Sequence, residues 1–250
     1  MKIIYHKLMK LNLLVLKNGY KKMKIPHTGL EGNVSDHKFR SGYVQWLLHQ
    51  EGYRNNKKIK IPRVIIQFWD KLEELPEDVE KCLNSWHILK EFGFRVILFS
   101  DKSARKFIQK EYPNEYVIAY DKCEHPAMKS DYFRLCYIYK CGGAYVDADE
   151  ILIDMKFIEY FNNNNLKIQP LCFDLAKNEM VNFYDYIEDK SYPNKKIFYV
   201  NNNPIICPSK HMLIKLALED ATNNLINHKL SSKFDIQSTT GPGNLTANLV

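Results

Sequence analysis

The stretch from Pro126 to Glu150, PAMKSDYFRLCYIYKCGGAYVDADE, constrains this chain more than any other. It reads as a helix stopped by Gly142-Gly143, followed by a short extended segment that delivers Asp147 and Asp149. In an extended segment alternate side chains point the same way, so the two acids are expected on one side and Ala148 on the other. Two hard oxygen ligands at that spacing suit Mg²⁺ or Mn²⁺, ions that neutralise a diphosphate. Upstream, Ser130, Asp131 and Arg134 fall within one helical turn, which sets a carboxylate and a guanidinium on the same face. The pattern predicts a metal, a phosphate-sized anion and a polar partner gathered around one glycine corner.

A lone D-x-D is common on solvated strand ends and turns. The whole pattern, S-D-x-x-R followed by G-G-x-Y-x-D-x-D, is far more specific because its polar and glycine positions must keep a fixed register. Carried here by Ser130, Asp131, Arg134, Gly142, Gly143, Tyr145, Asp147 and Asp149, it resembles the sugar-binding region of DXD-type glycosyltransferases. The likeness is to glycosyltransferase family 32 and the capsular polysaccharide synthesis proteins, and more distantly to the large bacterial glucosylating toxins. Ile61-Pro62-Arg63-Val64-Ile65-Ile66-Gln67-Phe68-Trp69 is similar to the family's opening strand. Asn202 and Asn203, then Lys210-His211, then Thr240-Gly241-Pro242 resemble its later elements. The resemblance covers about residues 59 to 246.

Period changes along the chain agree with such an architecture. Arg63 to Trp69 is a β-branched apolar run suited to a buried strand, and Pro76 to Phe92 is an amphipathic helix with proline near its first turn. Arg95 to Phe99 returns to strand, and Asp101 is placed to cap a helix running to about Glu111. This alternation predicts an α/β protein with a parallel or mixed central sheet and helices on both faces. Ligands in such sheets bind beyond the carboxyl ends of the strands, here Trp69, Ser100 and Asp147 to Asp149. The resemblance makes the expectation specific: a GT-A-like, Rossmann-like nucleotide-binding domain over 59–250, preceded by a basic, helical extension over 1–58. Further on, Asn162 to Asn165 is a polar turn and Asn178 to Asp189 a helix or loop over the site. His211 to Asn224 is an amphipathic helix, and Gly241-Pro242-Gly243 a tight turn.

The formal net charge is +7, which favours anionic partners such as nucleotide sugars, acidic glycans or membrane surfaces. Zinc-finger spacing, an RNA-binding aromatic signature and a Gly-Lys phosphate loop are all missing, so no nucleic-acid partner is expected. The six cysteines form no C-x-x-C pair and sit in apolar settings, which predicts free thiols in a reducing, cytoplasmic compartment. No run of eighteen apolar residues exists. Ile3 to about Lys17 reads as an amphipathic surface helix, resting on the domain or on the inner face of a membrane.

The resemblance also assigns roles. A nucleotide sugar leaves behind a diphosphate whose charge grows as the glycosidic bond breaks, so a divalent ion there stabilises the transition state. Asp149 is the expected direct ligand of Mn²⁺ or Mg²⁺, and Asp147 binds the metal through water or holds the ribose. With Arg134 these form the catalytic set. Trp69 either stacks on the nucleobase or packs in the core. Arg134 meets a sugar hydroxyl or a carboxylate, and its plain alternative is a salt bridge to Asp131. The Tyr145 hydroxyl touches the diphosphate, or its ring packs; the amides of Asn202 and Asn203 reach sugar hydroxyls. The implied donor is a UDP- or GDP-sugar and the acceptor a glycan, polysaccharide or lipid-linked glycan, with anomeric configuration retained and no nucleophile nominated. A haloacid-dehalogenase-like phosphatase and a non-catalytic glycan-binding protein are the alternatives. Such families usually continue past T-G-P, so a chain stopping at Val250 is expected to be a fragment or a reduced member.

Overall fold

The computed structural model describes residues 2–3, 9–11, 44, 59–186, 196–227 and 235–249. In chain order its elements are β1 (Lys2–Ile3), β2 (Met9–Leu11), β3 (Val64–Phe68), α1 (Glu77–Ser85), β4 (Arg95–Phe99), α2 (Asp101–Glu111), α3 (Asn114–Asp121), α4 (Pro126–Cys141) and β5 (Gly143–Tyr145). There follow β6 (Glu150–Ile151), β7 (Leu166–Ile168), β8 (Pro170–Asp174), β9 (Glu179–Val181), β10 (Lys196–Val200), β11 (Ile205–Cys207), α5 (Met212–Asn227), α6 (Ile236–Thr239) and α7 (Pro242–Leu249).

Six strands form the central sheet in the order β2-β7-β11-β5-β3-β4. β3 is parallel to both β4 and β5, whereas β11 runs antiparallel to β5 and β7. The sheet is therefore mixed, as the alternation of elements implied. The connection from β3 to β4 moves one way along the sheet and that from β4 to β5 moves back across β3. With right-handed crossovers the two connections must cover opposite faces. Val64, Ile66, Phe68 and Tyr145 accordingly pack with residues of α2, α3, α4 and α5. Ile65, Ala144 and Val146 pack on the other face with Trp86, Leu89 and Phe157. Burial on both sides explains why β3 is buried at every position and apolar at all but Gln67, in place of an alternating pattern.

Several elements differ from expectation for identifiable reasons. The helix expected over Pro76 to Phe92 is α-helical only to Ser85 and continues as a 3₁₀ helix, Trp86–Phe92. Three residues per turn set buried Trp86 and Leu89 one above the other, and the Trp86 indole donates to the Glu150 carbonyl at 2.8 Å. α2 is capped by Ser100, not Asp101: Ser100 and Ser103 exchange side-chain to backbone hydrogen bonds. Asp101 instead accepts from Tyr120 at 2.7 Å and Lys129 at 2.8 Å. Of the helix expected over Ile3 to about Lys17, the described residues Ile3 and Met9–Leu11 lie in strands, the latter pairing with β7 and satisfying backbone groups at that sheet edge; the rest lies outside the described residues. Glu179–Val181 is a strand against β8, and a short 3₁₀ helix, Phe183–Tyr186, follows it. The rest of the helix or loop expected to Asp189 lies outside the described residues, as does nearly all of the N-terminal extension, including the side on which its boundary at residue 58 was drawn.

The glycine corner has a steric cause. Gly142 (φ 71°) and Gly143 (φ 113°) both take positive φ, and a Cβ on Gly143 would stand 2.8 Å from the Val64 carbonyl oxygen. Only a glycine lets α4 end and β5 enter between β3 and β11. Gly143→Ala is expected to lower stability by about 1–3 kcal/mol, read as a lower urea midpoint at unchanged slope. An unchanged midpoint would show that the corner relaxes without cost.

Candidate functional site

The site is built around one interior cation. Arg134 lies on the inward side of α4 and is only 3% exposed. Its Nη1 donates to the Asn202 carbonyl at 2.7 Å, and its Nη2 to Ser130 Oγ at 3.0 Å and Asp147 Oδ1 at 2.9 Å. Asp131 Oδ1 is 3.0 Å from the same nitrogen. The guanidinium carbon stands 4.3 Å from the centroid of the Tyr145 ring, a cation–π contact. Both readings of Arg134 as a carboxylate partner thus hold at once, with Asp131 one helical turn before it and Asp147 across the glycine corner.

Asp147 and Asp149 do not sit on an extended strand. β5 ends at Tyr145, Val146 N still bonds the Ile66 carbonyl at 3.0 Å, and the chain then turns so that Glu150 N donates to the Asp147 carbonyl at 3.2 Å. The expectation that the two acids share a face through a two-residue period therefore fails. A turn places residues i and i+2 differently: Asp147 is held by Arg134, whereas the Asp149 carboxylate makes no hydrogen bond or ion pair among the described residues. Only the Asp149 carbonyl is engaged, by Cys82 Sγ at 3.4 Å. Burial pushes the Cys82 thiol up, and the nearby Asp149 charge adds to this.

The remaining sequence-predicted residues divide into an open and a closed group. Trp69 follows β3 directly, is half-buried, and packs with Val79, Leu83 and Ala148, so it lies beside the acidic turn. Tyr145 is fully buried; its hydroxyl pairs with Ser130 Oγ at 2.6 Å and its ring carries Arg134, leaving nothing of it turned toward a diphosphate. Asn202 and Asn203 are buried as well. The Asn202 amide donates to Asp131 at 2.8 Å, while Asn203 accepts from Asp147 N at 2.9 Å and donates to Glu150 Oε1 at 3.2 Å. Both carboxamides are occupied by protein groups, where sugar hydroxyls were expected. Of the later elements, buried Thr240 lies beside Asp131, where its side chain favours the ionised carboxyl. Lys210 does not: its N–H meets the Tyr139 carbonyl at 2.7 Å, near the other end of α4. Glu150 was not singled out by the sequence, because its position at the site follows from its contact with Asn203 across the strand pairing, which no local motif encodes.

Electrostatics follow the same division. Burial pushes the Asp131 carboxyl up to about 7, against the pull of Arg134 and with the push of Asp147. Burial also works against the charge on Arg134, but Asp147 and then Asp131 hold its pKa above the usual guanidinium value. The two directions agree once the sharing is noted: one guanidinium serves two carboxylates, and Asp131 is the more deeply buried. Asp131 therefore binds its proton more tightly in the folded protein than in the unfolded chain, where an aspartate titrates near ~3.9. The stability this contributes is full below about pH 4 and is lost as pH rises through about 7. Urea midpoints of the wild type should accordingly fall across that window relative to those of Asp131→Asn. Parallel curves would show that burial does not govern this carboxyl.

The donor set fits a hard divalent cation. An uncommitted aspartate, a second one in the same turn and an open edge offer oxygen ligands alone, and substrate phosphates and water complete such a shell. Among the described residues no cluster of three His, Cys, Asp or Glu side chains forms.

Comparison with known proteins finds partial likenesses to glycosyltransferases. Residues 76–170 match the family described as "Glycosyltransferase sugar-binding region containing DXD motif". Inositol phosphoceramide mannosyltransferase 3 of Schizosaccharomyces pombe is 33% identical over 95 residues, which cover 38% of this chain and 26% of that protein. The uncharacterized glycosyltransferase L373 of Acanthamoeba polyphaga mimivirus is 29% identical over 96 residues, 36% of each chain. Mannosyl phosphorylinositol ceramide synthase SUR1 of Saccharomyces cerevisiae is 30% identical over 94 residues, covering 36% of this chain and 23% of that one. The matched part thus spans roughly a quarter to a third of these relatives. A solved structure, PaToxG glycosyltransferase, aligns with 86% of this chain and 76% of its own at a TM-score of 0.47 and 14% identity. The helix with Ser130, Asp131 and Arg134 and the turn with Asp147 and Asp149 lie within the residues that match this sugar-binding region.

Proposed function

We propose that the chain transfers a hexose from a nucleotide sugar, bound with Mn²⁺ or Mg²⁺, to a lipid-linked or polysaccharide acceptor with retention of configuration. The observation that carries this reading is the unequal treatment of the two acids. Asp147 is fixed by an interior arginine, while Asp149 stands with its carboxylate open at the carboxyl edge of three parallel strands. That edge is where α/β sheets hold nucleotides. Trp69, half-buried beside the same turn, has a face suited to a base. A metal held by Asp149 supplies charge to the leaving diphosphate, and Asp147 with Arg134 orients the donor sugar or ribose. Among acceptors, the names of two relatives, mannosyl transfer to inositol phosphoceramide, favour a mannosyl donor and a lipid-linked acceptor. The net charge of +7 agrees with an anionic lipid surface, and cysteines without disulfides among the described residues agree with a reducing compartment on its cytoplasmic side. The domain is read as 59–250, with 1–58 as its extension.

Asp149→Asn is expected to abolish metal-dependent binding of UDP- and GDP-sugars and to cut turnover by several powers of ten, with the melting temperature unchanged. Full turnover in Mn²⁺ would remove the metal from the reading. Trp69→Ala should weaken free UDP or GDP as much as the intact donor, by roughly 1–3 kcal/mol, measured where both proteins are folded. A fall in melting temperature with nucleotide affinity intact would mark Trp69 as packing alone.

A further inference from the structure

We infer that Asn203 is a positioning residue for the acidic turn: its carboxamide clamps both ends of the Asp147–Glu150 turn and so sets where Asp149 presents its carboxylate. This rests on the reading of that turn as the metal–donor site.

The clamp follows from strand register. β11 pairs antiparallel with β5, with Ile205 opposite Tyr145 and Ile206 opposite Ala144. Continuing that register by two residues sets Asn203 opposite Asp147, just beyond the last ladder bond. There the side chain takes over from the backbone: Asn203 Oδ1 accepts the Asp147 N–H at 2.9 Å. Its Nδ2 donates to Glu150 Oε1 at 3.2 Å, at the other end of the same turn. The turn's own bond, from Glu150 N to the Asp147 carbonyl at 3.2 Å, closes between these two contacts. One amide group, 5% exposed, therefore holds the first and fourth residues of a turn whose third is Asp149. A carboxamide offers an acceptor and a donor side by side on one planar group without carrying charge. Aspartate keeps the first contact but replaces the second with a like-charge clash, and alanine removes both.

Asn203 is itself fixed from both sides. Asn202 ahead of it gives its carbonyl to Arg134 and its amide to Asp131, and β11 behind it is buried in the central sheet. A clamp held this way transmits the geometry of the sheet to the turn. Groups that orient a metal ligand without touching the metal typically change affinity about 10–100-fold when lost.

The test uses the full chain in four forms: wild type, Asn203→Asp, Asn203→Ala and Thr222→Val. The last removes a buried hydroxyl that bonds Tyr132 at 2.7 Å, on α5 and outside the site, and serves as a destabilised control. Amide hydrogen exchange at Asp147 reads the clamp without any ligand. Exchange should be at least about tenfold faster in Asn203→Ala, yet near the wild-type rate in Asn203→Asp and Thr222→Val. Calorimetric titration with Mn²⁺–UDP and Mn²⁺–GDP, at a temperature where all four are folded, reads the consequence. Both Asn203 variants should bind about tenfold or more weakly than wild type, and Thr222→Val as wild type does. Exchange at Asp147 that ignores Asn203→Ala overturns the clamp. Equal weakening in Thr222→Val overturns positioning in favour of general stability. Correct exchange behaviour with no binding of either nucleotide by the wild type overturns the functional reading and, with it, the assignment of the clamp to donor binding.

Discussion

A guanidinium placed 3% exposed inside a protein is unfavourable unless its charge is answered, and the structure around Arg134 follows from that requirement: both Nη atoms are bonded, and Nε is left without a hydrogen-bond partner among the described residues. Its partners come from separate stretches of chain. α4 supplies Ser130 and Asp131, the turn after β5 supplies Asp147, the loop before β11 supplies the Asn202 carbonyl, and β5 itself supplies the Tyr145 ring. Because two carboxylates share the cation, neither can move without leaving charge unbalanced in a medium that screens poorly. The arginine thus couples the middle of α4 directly to the acidic turn that lies beyond the glycine corner. Those glycines supply only the sharp corner, at positive φ and close backbone contact, that lets the partners meet.

This coupling divides the work of the two acids. A carboxylate already bonded to an arginine is a poor first choice as sole metal ligand, because the cation and the metal compete for the same electron density. Such a carboxylate is well suited to receive a ribose or sugar hydroxyl, since its orientation is fixed before the donor arrives. Asp149 has the reverse character. Its carboxylate is uncommitted among the described residues, and its backbone is tied down by Cys82 and by the turn, so it presents charge without rotating away. Preorganisation of one acid and availability of the other suits the proposed role of the turn in holding a metal and a leaving diphosphate.

Much of this was legible in the sequence. The apolar run over β3, the Arg95–Phe99 strand, the helix stopped by Gly142-Gly143 and the gathering of Ser130, Asp131 and Arg134 are encoded locally, by period and by glycine. The misreadings lie where a tertiary bond overrode a local rule. Alternation suggested a strand through Asp147 and Asp149, but the Asn203 amide and the Glu150 N–H favour a turn. Tyr145 looked like a ligand contact from its place in the motif, whereas the hydrogen bond to Ser130 and the cation on its ring use both of its functions. The asparagines looked available because amides in a polar loop usually are. Their occupation depends on β11 running antiparallel beside β5, a pairing that joins positions some sixty residues apart and leaves no trace in any window of sequence.

The same reasoning gives the Thr240-Gly241-Pro242 element a place behind the site. Thr240 reaches Asp131, the carboxyl that shares Arg134, and so adds a neutral partner where a further charge would disturb the balance. A few residues on, the Thr246 hydroxyl accepts from Val200 N at 3.0 Å and lies 3.4 Å from the Val200 carbonyl, on the strand that leads into Asn202 and Asn203. Val200 is also paired with Pro170, and Asn201 N bonds the Gln169 carbonyl at 2.8 Å. The asparagine loop is therefore anchored by α7 and β8 on the side where it begins and by the central sheet on the side where it ends. A loop anchored at both ends holds its side chains at low conformational cost, and this keeps the Asn202 amide against Asp131 and the Asn203 amide against the acidic turn.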